Sequence, residues 1–398
     1  MTTTGVAEKD PTAFDPHTDD YLADPYRRLR ELRRQGSSHL DPGSGMWFLL
    51  SYDSVGDGLA QIVRNRPGGP DRHVHFPANP FFADGPEHTI PRRLIAPSFT
   101  NRAVQRYRAV TEEIVDAILG EKADGSELRV VEEVGFTLPY RLTCDMLGVD
   151  VLDDPSDLRD WTWRSLELID AFPYPEQLEA NIAAGALLAE HLHEVVEAKR
   201  GHLADDLLST IIRAGDEGEV LQPQQVDPYV HTLYLAGMHT TVNQLSLSFH
   251  ALFSHPDQWA LLRDGAVAVD AAVEELLRFE PTAQYMRRTA EEEVTLGDVT
   301  IPAGAGVVCW IASANRDEAE FGPTADDLDL TRADARHHLA FGKGPHTCLG
   351  SWLARLELEV VISAVRDRFP RTTLAPQELV WESNVIRGPQ ELVLELRA

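Results

Sequence analysis

The sequence predicts a mainly α-helical chain decorated by small β-sheets, and three observations carry that expectation. Apolar residues recur at helical spacing over most of the chain. Strand-like runs are few, short and bounded by Gly or Pro turns. No internal repeat, low-complexity tract or Gly/Ser linker divides the 398 residues, so one domain over 1–398 is the simplest organisation. The polar, acidic stretch 1–20 is expected to be flexible.

Taken in order, the first helix is expected over Asp24–Arg34, where mixed charge surrounds Leu29 and Leu32. The same periodicity returns over Val104–Leu119, Gln177–Lys199, Val226–Ser254, Ala268–Arg278 and Leu349–Phe369. Strands are expected at Met46–Ser51 after an Asp-Pro-Gly-Ser-Gly turn, and at Val294–Leu296 and Val299–Ile301 around Gly297-Asp298. Val307–Ile311 and Glu391–Leu396 complete the set. Val226–Ser254 stands out, because at about 1.5 Å per residue it spans roughly 40 Å, the width of a domain. Pro223 and Pro228 lie near its start and His255-Pro256 closes it. A helix this long belongs at the centre of the fold.

Composition excludes several function classes. With 64 acidic against 36 basic residues the formal charge is -28, a surface that repels nucleic acid and anionic membranes. Hydrophobic residues make up 43% of the chain, which argues against disorder. Three cysteines cannot form a disulfide framework, and Cys144 and Cys309, among apolar neighbours, read as small buried hydrophobes. Met1–Asp20 lacks the basic and apolar regions of a signal peptide, and no apolar run approaches about 20 residues. A cytoplasmic protein with neither a nucleic-acid nor a membrane partner is expected.

The most informative stretch is Phe341-Gly-Lys-Gly-Pro-His-Thr-Cys348-Leu-Gly350. Gly342, Gly344 and Pro345 disfavour helix and point to a tight loop, while an amphipathic helix begins directly after Cys348. Leu349, Leu353, Leu356 and Val360 share one face of that helix. A sulfur at a helix N-terminus meets unpaired amides and the helix dipole, which favour thiolate over thiol. Phe341 can shield it from water. A water-excluded, hydrogen-bonded thiolate is what a thiolate-ligated haem iron needs. The loop alone leaves other readings open: a structural cysteine, a zinc site with His338 and His346, or a nucleophile with a histidine base.

At these residues the sequence resembles the bacterial soluble cytochromes P450, and the resemblance covers nearly the whole chain. Phe341, Gly344, Cys348 and Gly350 match the family's Phe-x-x-Gly-x-x-x-Cys-x-Gly loop. Glu275-Leu-Leu-Arg278 is similar to the family's Glu-x-x-Arg helix, whose pair is completed by an upstream arginine, here Arg332. His88 and Arg92 match the His-x-x-x-Arg pair, although Pro91 between them is a departure. The resemblance implies a cytochrome P450 fold with a long central helix over a buried haem b (iron protoporphyrin IX). Cys348 would hold the iron, with Phe341 and Gly350 shaping the loop around it. His88, Arg92, Arg288 and His346 would receive the propionates.

The long helix carries Ala236-Gly237-Met-His239-Thr240-Thr241 where the family has Ala-Gly-x-acid-Thr. By resemblance Gly237 leaves room for dioxygen and opens the helix ladder, and Thr240 helps deliver a proton. His239 replaces the usual acid. It either relays protons itself, since an unperturbed imidazole titrates near neutrality, or leaves that task to substrate or water.

The implied activity is a monooxygenase or oxidase reaction on a small molecule. It uses dioxygen and electrons from a separate ferredoxin and ferredoxin reductase, because no such module is fused to the chain. Hydroxylation, coupling and cyclisation all remain open. The implied pocket draws on Phe76, Phe81, Phe82, Trp163, Phe172, Tyr174, Ala236, Tyr285, Met286, Val385 and Ile386, a lining suited to an aromatic or peptide-derived secondary metabolite. Arg92, Arg93, Arg102, Arg106, Arg108, Lys343 and Arg355 could cluster as a landing site for an acidic ferredoxin. A peroxide-driven enzyme and a non-catalytic haem-bearing recruitment module are the rival readings, left open by His239.

Overall fold

The computed structural model describes residues 14–62, 83–382 and 385–398, and its backbone is predominantly helical. The helix expected over Val226–Ser254 runs between those residues and passes through the middle of the molecule. Its sides are buried against the helices Thr137–Leu147, Ser156–Leu166 and Leu178–Arg200 and against the π-helical turn Val130–Phe136. Because neighbours cover most of it, buried polar residues on it find backbone partners. Asn243 Nδ2 donates to the Ile386 carbonyl at 3.0 Å, and Gln244 Nε2 to the Glu280 carbonyl at 2.9 Å.

The other expected helices shift by a few residues. Pro25–Gln35 begins after Asp24, whose carboxylate accepts from the amides of Tyr26 and Arg27. Leu178–Arg200, Val269–Phe279 and Ser351–Arg368 correspond to the remaining expectations. The single helix expected over Val104–Leu119 is instead broken. Asn101–Val104 ends in a tight turn over Gln105–Tyr107, and the main helix, Arg108–Gly120, starts after it. Pro91 lies inside Gly85–Ile95.

One four-stranded sheet flanks the helices, in the order Ser38–Leu40, Trp47–Leu49, Gly306–Cys309, Met286–Thr289. Trp47 pairs with Val307 in parallel, and Arg288 lies opposite Val307 in the antiparallel edge pair. A three-stranded sheet joins Glu127–Arg129, Val393–Glu395 and Thr373–Leu374.

The N-terminal stretch differs from expectation. Residues 1–13 lie outside the described residues, but from Phe14 on the chain is packed rather than flexible. The Phe14 ring meets Tyr21, Phe48 and Trp310 edge-on, with centroids 5.2, 5.3 and 5.2 Å apart. Burying an aromatic ring of this size is enough to pin a short segment.

Candidate active site

The loop before Ser351–Arg368 is shaped by its glycines. Gly344 has φ 79°, and a Cβ there would stand 2.8 Å from the Ala60 Cα, so only glycine fits. The turn brings the Cys348 amide back to donate to the Phe341 carbonyl at 2.8 Å. Arg92, from Gly85–Ile95, donates to the Thr347 carbonyl. The Cys348 side chain is accessible to solvent, yet its thiol lies deep enough for burial to dominate its titration.

The expectation that the helix N-terminus would favour thiolate is corrected here. Burial raises the Cys348 pKa, and the Gly350 backbone, Arg92 and Arg355 offset this only in part. At this sulfur desolvation outweighs the Gly350 backbone and the two cations.

The long helix presents a matching open stripe. Leu233, Ala236, Gly237 and Thr240, spaced to share one face, are accessible or half-buried, whereas Met238, His239, Thr241 and Val242 are buried. Leu233 shares an apolar cluster with Leu349 and Leu353, next to the cysteine. The segment is helical throughout, and Thr240 Oγ1 donates to the Ala236 carbonyl at 2.9 Å.

His239 is placed where a proton relay cannot use it. Its ring is buried and stacks on Trp163 at 4.1 Å. Neither nitrogen has a hydrogen-bond partner among the described residues, and burial lowers its pKa to about 3. It stays neutral at physiological pH because an imidazolium there would be unsolvated.

A carboxyl group that sequence reasoning missed lies behind the stripe. Glu357 is 2% exposed, burial raises its pKa to about 8, and Thr241 Oγ1 donates to its Oε2 at 3.4 Å. A signal was present: Glu357 stands four residues after Leu353 and three before Val360, on the apolar face.

The basic groups assigned to the propionates do gather. His88 and His346 stack with centroids 4.1 Å apart, and His346 Nε2 meets Asp84 Oδ1 at 2.8 Å. Burial, then the His346 and Arg92 charges, lower the His88 pKa to about 4, with Asp84 opposing. Asp84 also acts on the buried Arg288, whose pKa burial lowers. His346 faces Asp84 and His338 faces Glu274 at 3.1 Å, so the two imidazoles do not converge with Cys348 on a metal. Among the described residues no group of three His, Cys, Asp or Glu side chains could hold one.

Glu275 and Arg278 form the expected network. Arg278 Nε and Nη2 donate to the two Glu275 oxygens at 2.7 Å each, and Arg332 Nε reaches Glu275 at 3.4 Å. The pocket residues divide. Ala236 is exposed, and Trp163, Phe172, Tyr174 and Met286 are half-buried. Tyr285, Val385 and Ile386 are instead core residues, at most 2% exposed, clustered with Phe14 and Trp310. The Tyr285 hydroxyl donates to Asp170. Phe76, Phe81 and Phe82 lie outside the described residues.

The landing patch is smaller than expected. Arg108 Nη2 is held by Glu359 at 2.9 Å and Arg355 Nε by Glu274 at 2.7 Å, and Arg92 serves the cysteine loop. Arg93, Arg102, Arg106 and Lys343 remain exposed without an ion pair among the described residues.

Comparison with known proteins accords with this arrangement. The family model described as Cytochrome P450 matches residues 61–264 and 267–384. The chain is 35% identical to Cytochrome P450 monooxygenase PikC of Streptomyces venezuelae over 95% of its own length and 92% of the relative's. It is 34% identical to nocardicin C N-oxygenase of Nocardia uniformis subsp. tsuyamanensis, covering 96% of both chains. Among solved structures, the tirandamycin C-bound P450 monooxygenase TamI superposes with a TM-score of 0.85 at 30% identity, over 97% of this chain and 100% of that one. Among the described residues no helix is long and apolar enough to cross a membrane.

Proposed function

The chain belongs to the cytochrome P450 family and is an enzyme of that class, and from that premise we propose that it oxidises a small secondary metabolite by hydroxylation, coupling or cyclisation. The observation that carries the reading is the accessible Cys348 in its glycine-shaped loop, whose helix shares an apolar cluster through Leu349 and Leu353 with Leu233 on the open Thr240 face of the long helix.

The residues present fit a haem. Asp84 already places a carboxylate against His346 and within the field of His88 and Arg288, so these groups accept the kind of anion a propionate is. Cys348 would hold the iron, and His88, Arg92, Arg288 and His346 would hold the propionates. Haem b, when bound, supplies the activation of dioxygen with electrons delivered from outside.

The chain's own residues do the rest. Phe341 and the loop glycines shape the backbone around the sulfur, with the Phe341 carbonyl taking the Cys348 amide. Thr240 holds a hydroxyl proton on the open face of the long helix. Glu357 carries a carboxyl proton at neutral pH, since its pKa is raised to about 8. With His239 turned into the protein, Glu357 takes over as the acid nearest to that threonine pair. The half-buried aromatic rings of Trp163, Phe172 and Tyr174 support an aromatic or peptide-derived substrate. Electrons come from a ferredoxin and its reductase, steered by Arg93, Arg102, Arg106 and Lys343.

An optical titration of the purified ferric protein with a panel of candidate metabolites tests the whole reading. A thiolate-haem spectrum shifted to high spin by one compound class is the expected result. A protein that binds no haem, or whose spectrum lacks thiolate character, overturns it.

A further inference from the structure

Glu274 and Glu275 are consecutive buried carboxylates on Val269–Phe279, and adjacent helical positions point about 100° apart. Glu275 serves Arg278 and Arg332 as described. Glu274 faces the cysteine loop and reaches both of its ends. Before the loop, His338 Nε2 meets Glu274 Oε2 at 3.1 Å. After it, Arg355 Nε and Nη2 donate to the two Glu274 oxygens at 2.7 and 2.9 Å.

Protonation of the trio follows from its bonds. His338 Nδ1 accepts the Ala340 amide at 3.1 Å, so Nε2 carries the proton and donates to Glu274. Burial lowers the His338 pKa, with Glu274 opposing it. Burial alone would raise Glu274, but hydrogen bonds from His338 and Arg355 and the Arg355 charge pull its carboxyl down to about 2. One carboxylate therefore bonds one guanidinium and one neutral imidazole, with the exposed Arg336 guanidinium 4.0 Å from its Oε1.

What the clamp holds is the environment of the sulfur. The Arg355 guanidinium lies 4.5 Å over the Phe341 ring, and the His338 ring sits 5.7 Å from the other ring's centroid. Phe341 in turn accepts the Cys348 amide at 2.8 Å.

We infer that Glu274 is a positioning residue that staples the two ends of the cysteine loop and fixes the Arg355 guanidinium over Phe341, whose carbonyl takes the Cys348 amide. The inference rests on the reading of Cys348 as the iron ligand. A bidentate carboxylate–guanidinium pair sets both distance and orientation, so loosening it moves the field at the sulfur as well as the loop. An ordinary structural ion pair would affect stability alone.

The test compares the haem-loaded full chain with E274Q, R355K and E274Q/R355Q. Two readouts are taken: the midpoint reduction potential, and the rate at which the ferrous carbonyl form loses its thiolate-type Soret band. E274Q leaves a cation uncompensated, so its potential should rise, and the band should decay about tenfold faster. R355K keeps the charge but not the fork; it should speed decay with little change in potential. E274Q/R355Q restores neutrality and should return the potential toward the parent while decay stays fast. Parent values of both readouts in E274Q, or equal potentials in E274Q and the double variant, overturn the inference. If E274Q fails to take up haem, parent-like decay in R355K overturns it instead. A parent protein without the thiolate band would sink the ligand reading and this inference with it, whereas a normal parent band beside unmoved variants sinks the inference alone.

Discussion

His239 and Trp163 stack nearly face to face, with ring centroids 4.1 Å apart and an interplanar angle of 26°. The imidazole occupies the sequence position of an acid yet behaves as a core residue. His239→Phe should therefore keep the ratio of product to reductant consumed within about twofold of the parent. A large rise in wasted reductant would restore the relay.

The same pair fixes a pH dependence. The His239 pKa falls from the usual 6.5 to about 3 on folding, so the stability gained from burying the neutral ring is complete above 6.5. It is lost as pH falls toward 3, because only the unfolded chain takes up the proton there. At about pH 5 the loss amounts to ~2 kcal/mol relative to neutral pH. His239→Phe abolishes that part of the acid sensitivity, as denaturant midpoints at the two pH values will report.

Glu357 titrates in the opposite sense. Its pKa rises from 4.5 to about 8 on folding, so its contribution is complete below about 4.5 and declines as pH rises through 8. Glu357→Gln should be more stable than the parent at about pH 8, by a few kcal/mol at most. It should also lack the infrared band of a protonated carboxyl, and should yield about tenfold less product per reductant. A variant fully coupled at neutral pH would remove Glu357 from proton handling.

The sequence made much of this site legible because loops and caps are local. Gly344 and Cys348 announce a turn into a helix, and Val226–Ser254 is bracketed by prolines, so both its limits could be read. Charges turned into the core were harder. Glu274, Glu357 and Thr241 satisfy helical spacing equally well on a wet face, and only the elements packed against them decide. The aromatic residues failed for a related reason. Tyr285 looks like pocket lining until Phe14, far away in sequence, is found in the same core cluster. For His239 the motif position left two roles open, and its surroundings, the Trp163 ring it stacks on, favour the one without a relay.

Arg278 makes a second stability prediction. Beyond Glu275 it donates to the carbonyls of Asn315, Ala325 and Asp327 at 2.8, 2.7 and 2.9 Å, and it is fully buried. Lysine cannot fill that fork, so Arg278→Lys should cost about 3–5 kcal/mol, as breaking a buried charge pair does. Denaturant unfolding of the haem-loaded protein measures it. A loss below about 1 kcal/mol would mean that the network is dispensable.

The basic residues near the cysteine helix make the last prediction. Among the described residues Arg93, Arg102, Arg106 and Lys343 make no ion pair, while Arg108 and Arg355 are already neutralised by Glu359 and Glu274. Trp352, on the first turn after Cys348, is 45% exposed, and its helix packs against the Asn101–Val104 turn that carries Arg102. On a chain of charge -28 such an island would attract an acidic partner only at short range, within a Debye length of about 8 Å. Reversing Arg102 and Arg106 to Glu should therefore slow reduction by a ferredoxin about tenfold at low salt and leave substrate binding unchanged. The parent rate should fall toward the variant's as salt is added, since the variant has little attraction left to screen. Reversing Arg108 instead breaks its bond to Glu359 and should cost stability before it costs electron transfer. Rates indifferent to salt and to both reversals would place the landing site on another face.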